Sequence, residues 1–256
     1  QWHEANEEFL FNRRPVATVG VVWSQQNNDF FGRENAELHV NLPQRGITQA
    51  LVRARIPYLM VHADHIERDK AQLRLLILPN LGTMTDDQVA SVRRFVTNGG
   101  GLLATGQSSL CNEFGDPRPD FALADLFGAH LPENGGARNE STRARWANET
   151  LQTYLRLTPE LRARVDGPHV AGEPPVTGER HAVLRGFDET DILPFGGTVE
   201  ALRLDPSAHV LLTLIPSFPA NPPESAWMRE SKTDIPGLVL SERAGNGRVA
   251  YLPADR

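Results

Sequence analysis

Residues 15–106 alternate between apolar strand patterns and amphipathic helix patterns, and this alternation constrains the fold more than any other feature of the chain. Three strand–helix units are followed by a fourth strand. The four predicted strands are residues 16–23, 58–61, 73–78 and 102–105. Strands separated by helices must lie parallel with right-handed crossovers, so this half predicts a doubly wound parallel α/β sheet.

Two helices with clear boundaries are predicted between these strands. The first starts near Pro43 and has an apolar face formed by Ile47, Ala50, Leu51 and Ala54. The second opens at Thr85, which is expected to form a capping box with Gln88, and residues 98–101 end it with three glycines. A long polar loop is expected over residues 24–41.

The second half of the chain is less regular and predicts additional β-strands. Proline and glycine interrupt it repeatedly, and the apolar runs at residues 209–215, 238–241 and 248–252 are predicted to be strands. The last two are expected to pair as a hairpin around residues 245–247. The Arg- and Glu-rich span 138–164 is interpreted as a solvated helical face or an insertion.

Composition places the chain among ordinary globular proteins. Its 256 residues are 40% hydrophobic and fit one large domain, or a domain with a sizeable appendage. The formal net charge of −6 lacks the concentrated positive field that nucleic acid requires. Cys111 is the single cysteine, which excludes an internal disulfide and favours a reducing compartment such as the cytoplasm. No apolar run approaches the roughly 20 residues of a membrane span.

The two ends of the chain predict a larger polypeptide. Residues 1–12 have apolar side chains at helical spacing, with no N-cap in front. We therefore expect residues 1–14 to be a linker helix from a missing upstream domain, and residues 15–256 to be the main domain. A strand of an α/β sheet normally leads into a covering helix, and none follows residues 249–252, so we expect this domain to be truncated at its C-terminus.

The turn after the fourth predicted strand is the place where enzymes with this arrangement carry a nucleophile. Such a turn normally presents a Cys between small residues, so that the thiolate faces a pocket. In residues 106–111 (GQSSLC), Ser108 stands at that step, Leu110 replaces the second glycine, and the cysteine comes three residues later. The chain therefore has the scaffold of an enzyme without an intact catalytic centre.

Six sequence phrases are distinctive when taken together. They are RRPVA at 13–17, VVWSQ at 21–25, DFFGR at 29–33, GGGLLATG at 99–106, and WMRE at 227–230 with TDIPG at 233–237. These phrases resemble the β-galactosidase trimerisation domain of family-42 β-galactosidases and related glycoside hydrolases, and the resemblance covers most of the chain. It implies a flavodoxin-like, class I glutamine amidotransferase-like fold with extra β-strands in the C-terminal half.

The resemblance also implies a function. Domains of this kind are non-catalytic and help catalytic barrels to assemble, and both catalytic glutamates lie in the upstream barrel. No catalytic residue, cofactor or metal is therefore expected in this chain, and its implied partners are its own upstream barrel and further copies in a homo-oligomer. The resulting prediction is an accessory and oligomerisation domain of a β-galactosidase-like glycoside hydrolase involved in carbohydrate metabolism.

A stand-alone amidotransferase-like hydrolase that uses Ser108 or Cys111 is the alternative. An amidotransferase triad needs a His-x-Glu sequence after the cysteine, and none of the four later histidines provides one. The one His-x-Glu, at residues 65–67, precedes the turn. We therefore interpret Ser108 as a cap of the next helix and Cys111 as a buried residue on that helix.

A carbohydrate-binding module is the third interpretation, and it depends mainly on the segment after the first strand. Trp23, Asn28 and Arg33 lie in an aromatic and amide-rich stretch suited to stacking on a sugar ring and binding its hydroxyl groups. Packing against a neighbouring domain explains the same residues and is preferred. Gln107 and Ser108, in the turn after the fourth strand, are further ligand candidates.

Two other segments are candidate sites. Residues 62–65 (HADH) contain three side chains that can bind a metal, but their spacing does not fit one helix face. We interpret Asp64 as a helix cap and expect no metal site. Residues 218–227 are rich in proline and are expected to form a contact loop, not a central strand, with Phe218 and Trp227 as interface anchors.

Overall fold

The computed structural model of the chain describes residues 1–11, 13–133, 144–145, 151–158, 181–187, 190, 192–195, 198–219, 235–241 and 247–254. They form a mixed α/β fold. The α-helices are α1 (Trp2–Ala5), α2 (Glu7–Leu10), α3 (Leu42–Arg53), α4 (Ile66–Asp69), α5 (Asp86–Thr97) and α6 (Ala124–Phe127).

The β-strands include every strand that the sequence predicted. In chain order they are β1 (Val19–Trp23), β2 (Tyr58–His62), β3 (Leu75–Leu78), β4 (Gly101–Thr105), β5 (Ala129–His130), β6 (Ala144–Arg145), β7 (Leu151–Leu157), β8 (Ile192–Phe195), β9 (Thr198–Val199), β10 (Arg203–Leu204), β11 (His209–Pro219), β12 (Pro236–Ser241) and β13 (Val249–Leu252).

Nine of these strands form one sheet in the order β2-β1-β3-β4-β13-β12-β11-β7-β8. The pairs from β2 to β13 are all parallel, and the pairs from β13 to β8 are all antiparallel. β13 therefore joins a parallel half, built from the strand–helix units, to an antiparallel half. The expected pairing of β12 with β13 is confirmed.

Helices cover both faces of the parallel half. Val22 of β1 belongs to the larger core, which α5 covers, whereas Val21 packs with Leu51 of α3 on the opposite face. This is why residues 19–22 are all buried and read as a continuous apolar run. Helix α5 has the predicted capping box, because the Thr85 side chain accepts from the Gln88 N–H and the Gln88 side chain accepts from the Thr85 N–H.

The segment after β1 differs from its prediction. Residues 24–41 were expected to be a loop, but they contain successive helical turns, including π-helical turns at Asn27–Gly32 and Glu37–Asn41. Such turns lack the 3.6-residue period by which helices are recognised in a sequence. Near the N-terminus, the single predicted helix is two short helices, α1 and α2, interrupted at Asn6.

The proline-rich region also differs from its prediction. Phe218 and Pro219 lie at the end of β11, which is a central strand between β12 and β7. The register of β11 against β7 shifts between Ile215 and Phe218, around Pro216. A bulge tolerates proline because it needs no donor from the inserted residue, so the strand continues past Pro216.

Several predicted features lie outside the described residues. They are residues 220–234 with Trp227, the glycine turn at 245–246, and most of the Arg- and Glu-rich span 138–164. No helix among the described residues is long and apolar enough to cross a membrane.

Candidate functional site

The carboxyl ends of β1, β3 and β4 meet at one edge of the sheet, where Asn80 connects the segments that follow them. Its side chain is buried, and its φ of 48° lies in the left-handed region. Asn80 Nδ2 donates to the His39 carbonyl (2.8 Å), and Oδ1 accepts from the Gln107 N–H (2.7 Å). The Asn80 N–H donates to Thr105 Oγ1 at 2.9 Å. One asparagine thus joins the β1–α3 segment to the turn after β4.

Asn27 makes a second set of connections at the same edge. It is 2% exposed, and its Oδ1 accepts from the Thr83 N–H at 3.0 Å. Its Nδ2 donates to the Asn80 carbonyl at 3.4 Å, and its N–H donates to Ser24 Oγ at 3.1 Å. The two asparagines therefore bind the protein's own backbone at the position where many α/β proteins bind a ligand.

Ser108, the candidate serine nucleophile, is buried in this network. Its side chain is fully buried, and its Oγ accepts from the Leu81 N–H at 3.0 Å. The single hydroxyl hydrogen has two carbonyl acceptors within reach, Thr105 at 2.7 Å and Leu78 at 3.1 Å. The expectation that Ser108 caps a helix is wrong, because its hydroxyl group holds together the backbone after β3 and β4.

Cys111 is buried, as expected, but it does not lie on a helix. It forms isolated β-bridges with Thr83 and Pro117, and its N–H donates to the Gly82 carbonyl at 2.8 Å. The backbone leaves the turn at Ser109, whose φ is 65°, and continues as an extended segment in place of the expected helix. A buried thiol in an extended segment lacks the helix N-terminus that commonly activates a cysteine.

Gln107 lies beside a buried carboxylate and a buried phenol. Its Nε2 donates to Glu200 Oε1 at 2.9 Å, and Glu200 is 3% exposed. The Tyr251 hydroxyl donates to the Gly106 carbonyl at 2.6 Å. Burial raises the pKa of Tyr251 well above its usual value, and the negative charges of Glu200 and Asp120 add to the rise.

Trp23 is partly exposed at the end of β1. The residue is 36% exposed, and its indole meets the His62 imidazole edge-on, with ring centroids 5.0 Å apart. The contact follows from the sheet register, because Trp23 of β1 is paired with His62 of β2. Trp23 is thus partly accessible at the carboxyl edge of the sheet.

Asn28 and Arg33 lie in the helical segment that follows. Asn28 is half-buried, and its Nδ2 is 3.5 Å from Asp29 Oδ1. Arg33 is exposed, has a φ of 45°, and donates from Nε to the Phe30 carbonyl at 2.9 Å. The structure thus brings Trp23, Asn28 and Arg33 into one segment, and their roles as contact residues stay predictions.

Residues 62–65 run from the end of β2 into the helical turn before α4. No group of His, Cys, Asp and Glu side chains among the described residues has the arrangement to hold a metal ion. The predicted cap is wrong in detail, because His62 and not Asp64 accepts from the backbone at the start of this turn, through Nδ1 and the Asp64 N–H. The Asp64 carboxylate accepts instead from Gln88 Nε2 at 2.7 Å.

An apolar pocket of about 340 Å³ lies at the same edge of the sheet. It is lined by Leu42, Pro43, Gly46, Ile47, Thr105, Leu252 and Ala254. Of the predicted site residues whose side chains the structure describes, none lines this pocket. Thr105, which does line it, accepts a hydrogen bond from Ser108 Oγ through its carbonyl.

Three of the residues that organise this edge were not predicted from the sequence. Asn80, Glu200 and Tyr251 belong to no motif, and their partners lie far along the chain. Asn27, in contrast, lies in the amide-rich stretch after β1 that was already a candidate. The residue type at position 80 is one weak signal, because asparagine adopts the left-handed φ observed there more readily than most residues. Phe218 ends a strand, and Trp227 lies outside the described residues, so their role as interface anchors stays a prediction.

Together the described residues define a mixed α/β domain whose turn after the fourth parallel strand buries its serine. No protein-family model matches the sequence, and no curated protein matches it. Solved structures do match. The β-galactosidase from Bacillus circulans sp. alkalophilus has a TM-score of 0.66 and 17% identity, over 97% of this chain and 30% of that chain.

Two further β-galactosidases give similar values. The enzyme from the Antarctic haloarchaeon Halorubrum lacusprofundi has a TM-score of 0.61 and 17% identity, over 97% of this chain and 30% of that chain. A catalytic mutant of Gan42B, a GH42 β-galactosidase from G. stearothermophilus, has a TM-score of 0.62 and 16% identity, over 94% and 28%. This chain therefore has the fold of one part of these β-galactosidases and spans less than a third of their length.

Proposed function

We propose that this chain is a non-catalytic accessory and assembly domain of a β-galactosidase-like glycoside hydrolase. The observation that carries this proposal is the unequal coverage: 97% of this chain matches, but it matches 30% of the β-galactosidase chain from Bacillus circulans. A fold that occupies one part of a larger enzyme fits a module of that enzyme. The resemblance of the sequence phrases at 13–17, 29–33 and 99–106 supports the same assignment.

The finer fold assignment belongs to this proposal as well. We assign the parallel half to the flavodoxin-like, class I glutamine amidotransferase-like type. Its strand order, β2-β1-β3-β4 followed by parallel β13, matches the flavodoxin-like order in which the second strand lies outside the first. The turn after β4 stands where amidotransferases carry their nucleophile.

The buried turn supports a non-catalytic role. A serine nucleophile needs an exposed Oγ and an adjacent base, whereas Ser108 Oγ is fully buried among backbone groups. Cys111 is buried as well and sits in a β-bridge. The stand-alone hydrolase that uses Ser108 or Cys111 is therefore the weaker proposal.

The proposal includes a domain plan and partners. Residues 1–14 are assigned to a linker from an upstream catalytic barrel, and residues 15–256 to the assembly domain. The partners are that barrel and other copies of the same chain. A reading frame that continues upstream into a barrel with two glutamates at strand ends would support this plan.

Activity assays on the purified chain test the non-catalytic role. We expect no turnover of glutamine and none of an aryl β-galactoside above the buffer blank. Ser108→Ala and Cys111→Ser are the matched variants, and neither should change the result. Turnover by the wild-type chain that disappears in either variant would overturn the proposal in favour of the hydrolase.

Carbohydrate contact through Trp23 is a second candidate function, favoured by the partly exposed indole beside His62. An indole face stacks on the apolar face of a galactose ring. Titration with galacto-oligosaccharides should then change the tryptophan fluorescence of the wild type and not that of Trp23→Phe. Absence of any response at millimolar sugar would leave Trp23 with a packing role.

A further inference from the structure

His130 lies between two carboxylates. Its Nδ1 is 2.7 Å from Asp120 Oδ2, and its Nε2 is 3.3 Å from Asp205 Oδ1. The imidazole is 20% exposed, and so is the Asp205 side chain, so neither of the two is freely solvated. Asp120 is fixed by the backbone, because its Oδ1 accepts from the N–H groups of Phe121 (2.8 Å) and Leu131 (2.9 Å).

The chemistry of imidazole makes this arrangement sensitive to protonation. A neutral imidazole has one N–H donor and one acceptor nitrogen, whereas the imidazolium ion has two N–H donors. An ionised carboxylate only accepts hydrogen bonds. Both contacts of His130 can therefore be hydrogen bonds only when the ring is protonated, and a neutral ring turns a lone pair towards one of the two carboxylates.

Two other roles fit this geometry poorly. A general base needs a ring nitrogen that faces a substrate, but both nitrogens of His130 face protein carboxylates. A metal ligand needs a free nitrogen lone pair directed at the ion, and the described residues contain no group arranged to hold one. The arrangement fits a link between two parts of the chain.

The link connects segments that strand pairing joins only briefly. Asp120 begins the segment that leads into α6, His130 lies in β5, and Asp205 follows β10. β5 and β10 pair over two residues each, with Arg203 opposite His130. We propose that His130 is a proton-dependent link, which holds the Asp120 segment to the residues after β10 when protonated and weakens when neutral.

Other charged groups surround the link. Arg203 of β10 lies 3.9 Å from Glu133, and Arg93 of α5 pairs with Asp125 of α6. Tyr251 lies within electrostatic reach of Asp120 and of Glu200, since both carboxylates contribute to its raised pKa. Both arginines are paired with other carboxylates, and among the described residues the charged side chains shown in contact with His130 are Asp120 and Asp205.

The sign of the pH effect follows from these contacts. Protonation of the ring supplies the second donor, because an ionised carboxylate only accepts hydrogen bonds. The folded chain has both hydrogen bonds when His130 carries its proton, and it loses one when the proton leaves. The stabilising effect of His130 is therefore present at acidic pH and falls as the pH rises.

Urea unfolding at about pH 5.5 and about pH 8.5 tests the link in the wild type and in His130→Gln. Glutamine keeps one donor group but cannot gain a second by protonation. At each pH, the unfolding constant of His130→Gln is divided by that of the wild type. We expect this quotient to be about fivefold larger at the lower pH than at the higher pH. His209→Gln is the matched control, because His209 is exposed on β11, and its ratio should not depend on pH.

A ring measurement on the wild type keeps the test independent of how the variants fold. The ¹⁵N spectrum of the His130 ring at about pH 5.5 should show both nitrogens protonated, and Asp205→Asn should shift Nε2 more than Nδ1. A ratio of unfolding constants that is the same at both pH values would overturn the proposal. A singly protonated ring at the lower pH would overturn it equally.

Discussion

At the scale of single residues, Asn80 combines an unusual backbone angle with a buried side chain. Asn80→Gly keeps the left-handed φ of 48° but loses the hydrogen bonds to His39 and Gln107, so it should destabilise the fold by about 2 kcal/mol. Asn80→Ala loses the same bonds and must also hold a Cβ at positive φ, which adds about 1 kcal/mol. Urea unfolding measures both values.

The difference in stability between Asn80→Gly and Asn80→Ala measures the backbone strain at position 80. Asn98→Ala serves as the control, because Asn98 is exposed at the end of α5 and its substitution should change stability by less than about 0.5 kcal/mol. Equal stability of the glycine and alanine variants at position 80 would show that the backbone there is not strained.

Tyr251 predicts a loss of stability at alkaline pH. Its folded-state pKa is raised mainly by burial, so the unfolded chain ionises near pH 10 while the folded chain resists ionisation. The contribution of Tyr251 is therefore complete below about pH 10, and above it falls by up to about 1.4 kcal/mol per pH unit. In Tyr251→Phe, the free energy of unfolding should lack this part of its fall with pH.

Denaturant unfolding between about pH 8 and pH 11 checks the Tyr251 prediction. At the lower end, Tyr251→Phe should be less stable than the wild type by about 1 kcal/mol, because the Gly106 carbonyl loses its donor. Tyr58→Phe retains Tyr251 and should keep the wild-type slope. Identical slopes in the wild type and Tyr251→Phe would contradict the prediction.

Residue-scale roles were the part of the site that the sequence predicted least. The turn with Ser108 was located correctly, but its hydroxyl binds backbone from two strand ends and not a following helix. Tyr251 and its acceptor Gly106 are 145 residues apart. Such partners are set by tertiary packing, and no local pattern in the sequence records them.

At the scale of elements, the contact of α5 with the start of β13 depends on Gly247. A Cβ there would lie 2.3 Å from the Val96 carbonyl oxygen and 2.7 Å from that of Gly100, and backbone atoms cannot move aside. Gly247→Ala should therefore destabilise the fold by about 3 kcal/mol or more. In Gly46→Ala the new methyl group meets no atom within 4 Å. Because alanine has a higher helix propensity than glycine, this substitution in α3 should raise the free energy of unfolding by up to about 1 kcal/mol.

Thermal unfolding of the two glycine variants separates packing from propensity. The melting temperature of Gly247→Ala should fall and that of Gly46→Ala should stay or rise. A Gly247→Ala variant as stable as the wild type would mean that the start of β13 does not approach α5 as closely as described.

Element positions were predicted best where one physical signal dominated. The continuous apolar runs of β1 and β3 and the capping box at Thr85 gave correct elements, because burial and end-capping both act locally. Residues 24–41 failed because π-helical turns have no apolar stripe of period 3.6. β11 was cut short because its prolines were taken to end the strand, whereas a register shift accommodates Pro216.

At the scale of the whole molecule, β13 joins the parallel half of the nine-stranded sheet to its antiparallel half. It pairs in parallel with β4, to which no strand–helix unit connects it, and antiparallel with β12. The sequence predicted both halves separately. Their union in one nine-stranded sheet depends on the pairing of residues about 150 positions apart, which no periodicity reveals.

Assembly is the property that tests the proposed function at this scale. In a protein that joins this domain to the proposed upstream barrel, Trp227→Ala should weaken self-association by about 2 kcal/mol, which is about 30-fold, because buried tryptophans contribute strongly at interfaces. Light scattering across a dilution series measures the shift, and Phe114→Ala is the control, since Phe114 is exposed on the loop after the β4 turn. The variant could instead leave the molecular mass of the assembly unchanged and lower the melting temperature of the isolated domain. That result would assign Trp227 to the domain's own core and would contradict the interface role of residues 218–227.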